Sequence, residues 1–241
     1  MKITANLMHF QKLNSLVRDS SDNVVIIENC IGQRYIGAGL SGKNITINGT
    51  PGNALGAYLD GAKIEIFGNA QDATGDTMNE GEIIVHGSSG DATGYAMRGG
   101  KIIVEGNSGY RAGIHMKAYE EKIPKLVIGG CAGSFLGEYQ AGGIILVLGL
   151  DREDGTPIVG NFCGTGMHGG KIYLRTSDTP KRLPSQVAVN EVDDEDVAEI
   201  RELVEEYCSY FGGEPDEIMK DKFIKLLPNT KNPYKRLYTN N

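Results

Sequence analysis

The chain contains no tryptophan, and its 241 residues include only four cysteines. No apolar run approaches the roughly 18 residues that a membrane-spanning helix needs, so none is expected. The cysteines (Cys30, Cys131, Cys163 and Cys208) are widely scattered, without CxxC or histidine-rich spacing. That gives no support to a zinc or iron–sulfur site in the chain and suits reduced, structural thiols of a cytoplasmic protein. The start, Met1-Lys2-Ile3-Thr4, lacks the apolar stretch of a signal peptide. Positive charge is also short: the formal net charge is −7, which leaves a nucleic-acid groove without electrostatic support. Much of the acidic excess falls in one helical segment after Pro184, whose simplest reading is a solvated face.

Glycine is what the chain has in excess: 34 residues, roughly twice the ordinary share. No G-X-Y period runs through it, which excludes collagen, and regular clusters of β-branched residues argue against disorder. The glycines are periodic. Gly37, Gly56, Gly75, Gly94 and Gly113 follow one another at a step of 19, and Gly49, Gly68, Gly87 and Gly106 form a second series at the same step. Each member of the second series follows an apolar couplet: Ile45/Ile47, Ile64/Ile66, Ile83/Val85, Ile102/Val104. The register takes extra residues at Lys117–Glu121 and resumes with Leu126/Ile128, Gly130 and Gly137, then Ile145/Val147 and Gly149. A second insertion, Asp151–Ile158, precedes Gly164 and Ile172/Leu174. Such a period reads as a stack of repeats with insertions in loops.

A couplet of period 2 points both members inward and its middle residue (Thr46, Glu65, Ile84, Ile103, Val127, Leu146, Tyr173) outward. Leu40, Leu59, Met78, Met97, Met116, Gln140 and Met167, three residues past the first-series glycines, suggest an internal ladder. Asn53, Asp72, Asp91 and Asn161 suit stacked turns. The reading is therefore an all-β solenoid of about seven turns, with an N-terminal cap at 1–36, the repeat at 37–176, and a linker and helical extension at 177–241. Within the cap lie the segment Phe10–Arg18 and a strand-like Val24–Ile27. In the extension, Asp193-Asp194 can cap a helix carrying Val197, Ile200, Leu203, Tyr207 and Phe211 on one face, ended by Gly212-Gly213. A second short helix is expected near Pro215–Leu226.

Chemical motifs are few. Gly37-Ala38-Gly39-Leu40-Ser41-Gly42 satisfies GxGxxG and, but for Asn44, a P-loop; a phosphate loop must open a helix, however, and here a strand follows. Gly164–Gly169 repeats the pattern in register, so both read as repeat glycines. His9, His86, His115 and His168 are far apart in the repeat frame, Cys163 has no evident base, and Asp72/Asp76 fit the stacked turns. Catalytic, cofactor-binding and metal-binding residues are therefore expected to be absent.

Gly68-Asn69-Ala70-Gln71-Asp72-Ala73-Thr74-Gly75, followed by Glu80-Gly81-Glu82-Ile83-Ile84-Val85, resembles the GXGXG domain that closes the large subunit of glutamate synthase, and more closely its stand-alone form. Arg34-Tyr35-Ile36-Gly37-Ala38, Gly113-Ile114-His115-Met116-Lys117, Glu138-Tyr139-Gln140-Ala141-Gly142-Gly143 and the tail Asn232-Pro233-Tyr234 and Leu237-Tyr238 carry the likeness further. The C subunit of formylmethanofuran dehydrogenase shares the repeat. The resemblance implies a right-handed parallel β-helix and a non-catalytic subunit that scaffolds the glutaminase and FMN/iron–sulfur synthase chains and supports ammonia transfer between them. FMN and the cluster are expected in those partners and no cofactor in this chain; self-association is also open. The alternatives are a C-subunit-like scaffold of a formylmethanofuran dehydrogenase complex and, less favoured, an autonomous polysaccharide-acting enzyme. Contact with partners is expected at the two insertions, through Arg111, His115, Lys117, Tyr119, Asp151 and Arg152, helped by the acidic helix.

Overall fold

The computed structural model describes residues 1–150, 152, 153 and 155–229. The tail motif and Asp151 and Asp154 of the second insertion lie outside the described residues. The couplets form strands where expected: β3 (Asn44–Thr50), β4 (Asp60–Phe67), β5 (Glu80–Val85), β6 (Lys101–Val104), β7 (Lys125–Ile128), β8 (Ala141–Val147) and β9 (Gly169–Leu174). Residues 1–36 contribute β1 (Lys2–Thr4), the helix α1 (Phe10–Asp19) and β2 (Val24–Ile31). From β1 to β9 each strand pairs in parallel with the next. The register matches the sequence period, with Ile45 opposite Ile64, Ile64 opposite Ile83 and Ile83 opposite Ile102. Inward members of the couplets are fully buried in one long core with Leu59, Met78, Met97, Met116 and Met167.

The architecture nevertheless corrects the expected right-handed parallel β-helix of about seven turns. Every named strand belongs to one open, mostly parallel sheet of 11 strands. The rest of each repeat is not a further sheet. It is turn, joined along the stack by single parallel bridges from Ala70 through Ser89, Ser108 and Ala132 to Val159. The physical reason lies in the turn stretches, where left-handed residues recur every repeat and prevent extended runs. The parallel ladder is also longer than the glycine count implied, because β1 and β2 extend it without the glycine signature.

The close of the sheet differs in strand direction from its body. The residues β10 (Val187–Glu191) and β11 (Ile224–Pro228) pair antiparallel with each other, and β11 pairs antiparallel with β9. Between them lie α2 (Asp194–Phe211) and α3 (Pro215–Ile218). Asp193 caps α2 through a reciprocal box with Asp196, and Gly212 ends it at φ +83°, as the sequence signals implied. The second helix stops at Ile218; of the segment read as its continuation, Ile224–Leu226 is strand, because its backbone pairs with two neighbours.

The acidic helix is not solvated on all sides. Ile200, Leu203, Val204 and Tyr207 of α2 are buried in a second core with Ile103, Val127, Leu146 and Tyr173, the middle residues of the couplets. The sheet's supposed outer face is thus covered from β5, where Ile84 is also fully buried, to β9. Lysines at one register position reach the helix's acids: Lys101 bonds both oxygens of Glu206 at 2.5 and 2.6 Å, Lys125 meets Glu202 at 3.1 Å, and Lys171 meets Asp196 and Glu199 at 3.3 and 3.2 Å. At the other end of the row, Lys63 donates to the Tyr210 hydroxyl at 2.8 Å.

One prediction tests the closeness of the repeats. Gly68 sits at φ +150°, and a Cβ there would overlap the carbonyl oxygen of Gly49 in the preceding repeat. Only glycine adopts this backbone region freely, so Gly68→Ala is expected to lower the unfolding free energy by at least ~1–3 kcal/mol. Gly61→Ala, also at positive φ but facing open space, is the comparison: it is expected to lose less in urea denaturation.

Candidate interaction surface

Each repeat turns through a tight segment with three left-handed positions at alternate residues, the middle one a glycine of the first series (Gly37 to Gly164, φ 63° to 75°) and the outer two forming columns four residues apart. The first column holds Tyr35, Ala54, Ala73, Ala92, Arg111, Phe135 and Phe162, all at φ between 55° and 62°. The second holds Gly39, Tyr58, Thr77, Ala96, His115, Tyr139 and Gly166. The cause is a hydrogen-bond ladder. At these positions the N–H turns toward the following repeat: Arg111 donates to the Ser134 carbonyl at 3.0 Å, Phe135 to Asn161 at 2.9 Å, and His115 to Glu138 at 2.8 Å. Neighbouring amides point the other way, as when Gly56 donates back to Ile36 at 2.8 Å. Side-chain acceptors brace the same turns, with Asp72 Oδ1 accepting from the Asp91 amide and Asp91 Oδ1 from that of Tyr110, at 2.9 and 2.8 Å. The carboxylate of Asp72 thus serves the stacked turn expected of it.

The left-handed conformation costs an L-residue about 1–2 kcal/mol, which glycine avoids. In the middle repeats these positions hold small residues. In the later ones they hold Arg111, His115, Phe135, Tyr139 and Phe162. These side chains stack along the ridge. Phe135 and Phe162 lie 5.1 Å apart at 26°, His115 and Tyr139 5.1 Å apart at 12°, and Tyr95 meets His115 edge-on at 5.9 Å. The Arg111 guanidinium lies 5.2 Å from the Phe135 ring centre and also meets Glu138 at 2.9 Å. Arg182, itself at φ 54°, lies 6.0 Å from the Phe162 ring at the other end.

Of the residues singled out in the sequence, Arg111 and His115 sit on this ridge. Lys117 is exposed at its flank, and its amide donates to the Met97 carbonyl at 3.0 Å. Tyr119 is exposed at the tip of the first insertion, in a two-way backbone bridge with Lys122. Arg152 is exposed on another side of the repeat, at a groove with Asn107, Cys131, Glu153 and Pro157. Phe135, Tyr139, Phe162 and Arg182 escaped sequence reading. Their signal was available as large side chains at the repeat positions held by Ala54, Ala73 and Ala92.

Other chemical candidates are structural. The first GxGxxG segment leads into β3, not a helix. His86 stacks on Phe67, meets Phe211 edge-on and bonds Glu65 at 2.9 Å, fastening the end of α2 to the sheet. Burial pushes the Cys163 thiol up to about 12 and that of Cys30 to about 11. Burial likewise raises the Cys131 thiol, against the opposing influence of Arg152. These thiols stay protonated at neutral pH and are poor nucleophiles. Among the described residues, no group of three or more His, Cys, Asp or Glu is placed to hold a metal ion. No helix among them is long and apolar enough to cross a membrane.

A glycine-punctuated parallel ladder, one helix laid along it and an exposed ridge of stacked side chains define a repeat protein whose distinctive features are surfaces. The GXGXG motif family matches residues 12–231, and the chain belongs to that family. It is 43% identical over 249 aligned positions to an uncharacterized protein of Methanocaldococcus jannaschii, covering 98% of this chain and 95% of that one. Its fold is similar to that of a chain in the crystal structure of the formyltransferase/hydrolase complex from Methylorubrum extorquens in complex with methylofuran. There the TM-score is 0.64 and the identity 20%, over 83% of this chain and 71% of the other.

Proposed function

We propose that the protein is a non-catalytic scaffold subunit of a glutamate synthase built from separate chains, holding a glutaminase chain and an FMN/iron–sulfur synthase chain together. The observation that carries this reading is the family match over residues 12–231, supported by a relative that is matched over 95% of its own length and so carries little beyond this repeat and its helix. A domain that elsewhere closes a larger subunit would here act as a subunit of its own. The quoted motifs favour the glutamate synthase branch. FMN and the cluster belong to the partners in this reading, and no cofactor is assigned to this chain. The second reading, a scaffold in a formyl-transferring complex, is favoured by the fold likeness to a chain of such an assembly.

Two measurements test the proposal. Purified alone, the chain is expected to be colourless and to release no ammonia from glutamine; turnover or a stoichiometric flavin would refute the scaffold role. Mixed with recombinant glutaminase and synthase chains, it is expected to co-elute with both. Co-elution with formyltransferase and hydrolase chains instead would select the second reading.

A further inference from the structure

We infer that the column Arg111–Phe135–Phe162–Arg182 is a protein-docking surface whose occupant is an apolar side-chain cluster flanked by a carboxylate on a partner subunit. The choice of partner chains rests on the proposed function; the surface itself rests on the geometry.

Three observations converge on it. The first is conformational. All four residues are left-handed, at φ 58°, 62°, 61° and 54°. The inter-repeat hydrogen bonds of Arg111 and Phe135 require only a backbone N–H, which any residue but proline supplies. Glycine would meet that need without strain, and this chain has 34 glycines. It uses Ala54, Ala73 and Ala92 at the same position in three earlier repeats, and in the first repeat Tyr35, which meets Phe10 of α1 at 5.9 Å. Folding therefore does not call for large side chains here, and strain kept at a surface marks a site where the side chain acts outwardly.

The second observation is exposure. Phe162 is 38% exposed, and Arg111 and Arg182 are exposed. Phe135 is half-buried beneath Phe162; α2 covers the sheet's other apolar row, whereas nothing among the described residues covers the outer ring of Phe162 to the same degree. The third is charge. The chain carries a net −7, and many of the acids of α2 meet lysines of the sheet. On the ridge two guanidiniums bracket the rings; Arg111 pairs with Glu138 at 2.9 Å, whereas Arg182 has no ion-pair partner among the described residues and is the charge left for an incoming acid. A matching surface places an apolar group on the rings and an acid over Arg182. Arginine and aromatic side chains of this kind dominate the energetics of protein interfaces.

The test is the double substitution Phe135→Asn with Phe162→Asn, since asparagine tolerates the left-handed region. Tyr58→Asn, at an equally left-handed and exposed position several repeats away, serves as the control. The double variant is expected to keep or raise the parent's Tm while its affinity for the glutaminase and synthase chains falls at least ten-fold; the control is expected to change neither. Parent-like affinity of the double variant would overturn the proposal. So would a drop in Tm that accompanies the loss, because the rings would then be core. Binding of single-stranded oligonucleotide by the parent and not the double variant would make the occupant nucleic acid and overturn it as well. If the parent binds neither chain, the glutamate synthase reading fails. The same comparison against formyltransferase and hydrolase chains then decides the ridge, with no parent binding, or equal binding by the variant, counting against it.

Discussion

Ile83→Asp is expected to lower the unfolding free energy by roughly 3–5 kcal/mol, the usual cost of an uncompensated buried charge. That is a large part of the 5–15 kcal/mol that holds an ordinary domain together. Ile83 is fully buried between Ile64 of β4 and Ile102 of β6, in a row with no polar group to meet a carboxylate. Burial raises the new carboxyl's pKa, so the loss should deepen as pH rises from 4 to 7. Thr46→Asp, on the opposite face of β3 and half-buried, is expected to stay within about 0.5 kcal/mol of the parent. The informative third variant is Ile84→Asp. Its alternation puts it on the face away from the core, which the sequence marks as tolerant, yet the residue is fully buried. It is expected to behave like Ile83→Asp. Urea midpoints for the three variants decide the matter; an Ile84→Asp protein as stable as Thr46→Asp would mean that the outer face is open at this strand.

The second large effect is at Asp196. Its carboxylate is 1% exposed and joins three elements. Lys225 of β11 pairs with it, the Tyr173 hydroxyl of β9 donates to it at 2.6 Å, Lys171 reaches it at 3.3 Å, and its other bond is to the Asp193 amide at 3.0 Å. Burial opposes the charge, but the bonds from Lys225, Tyr173, Asp193 and Lys171 outweigh it and hold the carboxyl below the usual range. The Tyr173 hydroxyl is correspondingly pushed far up, by burial first and then by its bonds to Asp196 and Glu199. Asp196→Ala leaves buried donors without an acceptor and is expected to cost ~3–5 kcal/mol. The depressed carboxyl also fixes the sign of a pH effect. Its stabilisation is complete above the unfolded value, about 4, and disappears as pH falls below that toward the folded value. Parent protein should therefore lose Tm between about pH 4 and pH 2 more steeply than Asp196→Asn, which has no such proton to gain. Equal slopes would remove Asp196 as the source.

These residues also show where the sequence was legible. The step of 19 fixed which isoleucines are neighbours, since alternation leaves a strand little choice of face when its couplets recur in register. The Asp193-Asp194 and Gly212-Gly213 signals placed α2 to within a residue at each end because capping is local chemistry. The cover over the outer face was written in the sequence too. Middle residues pass from Thr46 and Glu65 to Ile84, Ile103, Val127, Leu146 and Tyr173, and lysines recur one position before the couplets at 63, 101, 125 and 171. Reading the variation as tolerance hid the trend. The single sheet was harder to foresee, because nothing in an alanine or an arginine announces φ near +55°. Those conformations come from hydrogen bonds to the next repeat, a non-local cause. The same holds for Ile224–Pro228, whose strand exists only through its two antiparallel neighbours. On the candidate surface, Arg111 and His115 stood out by charge and ring, whereas Phe135 and Phe162 fall outside the couplets and glycine series and were not singled out.

The close of the sheet at β10 and β11 has a consequence for copies of the chain in solution. A parallel ladder of near-equivalent strands is a template: the last edge of one molecule suits the first edge of another, and stacking could continue without limit into fibres. Here the two edges are unlike. One is the three-residue β1, whose backbone is tethered by the Met1 ammonium to the Val24 carbonyl at 2.7 Å and which carries the charged Lys2. The other, β10, runs antiparallel to its neighbour and carries Glu191. Because two reversals cancel, β10 runs the same way as β1 to β9, so strand direction alone would not refuse an incoming β1. What the β10 edge lacks, among the described residues, is the glycine-punctuated turn on which each repeat rests upon the one before, so a second copy would find strand pairing there without the turn-to-turn bonds that run through the body of the stack.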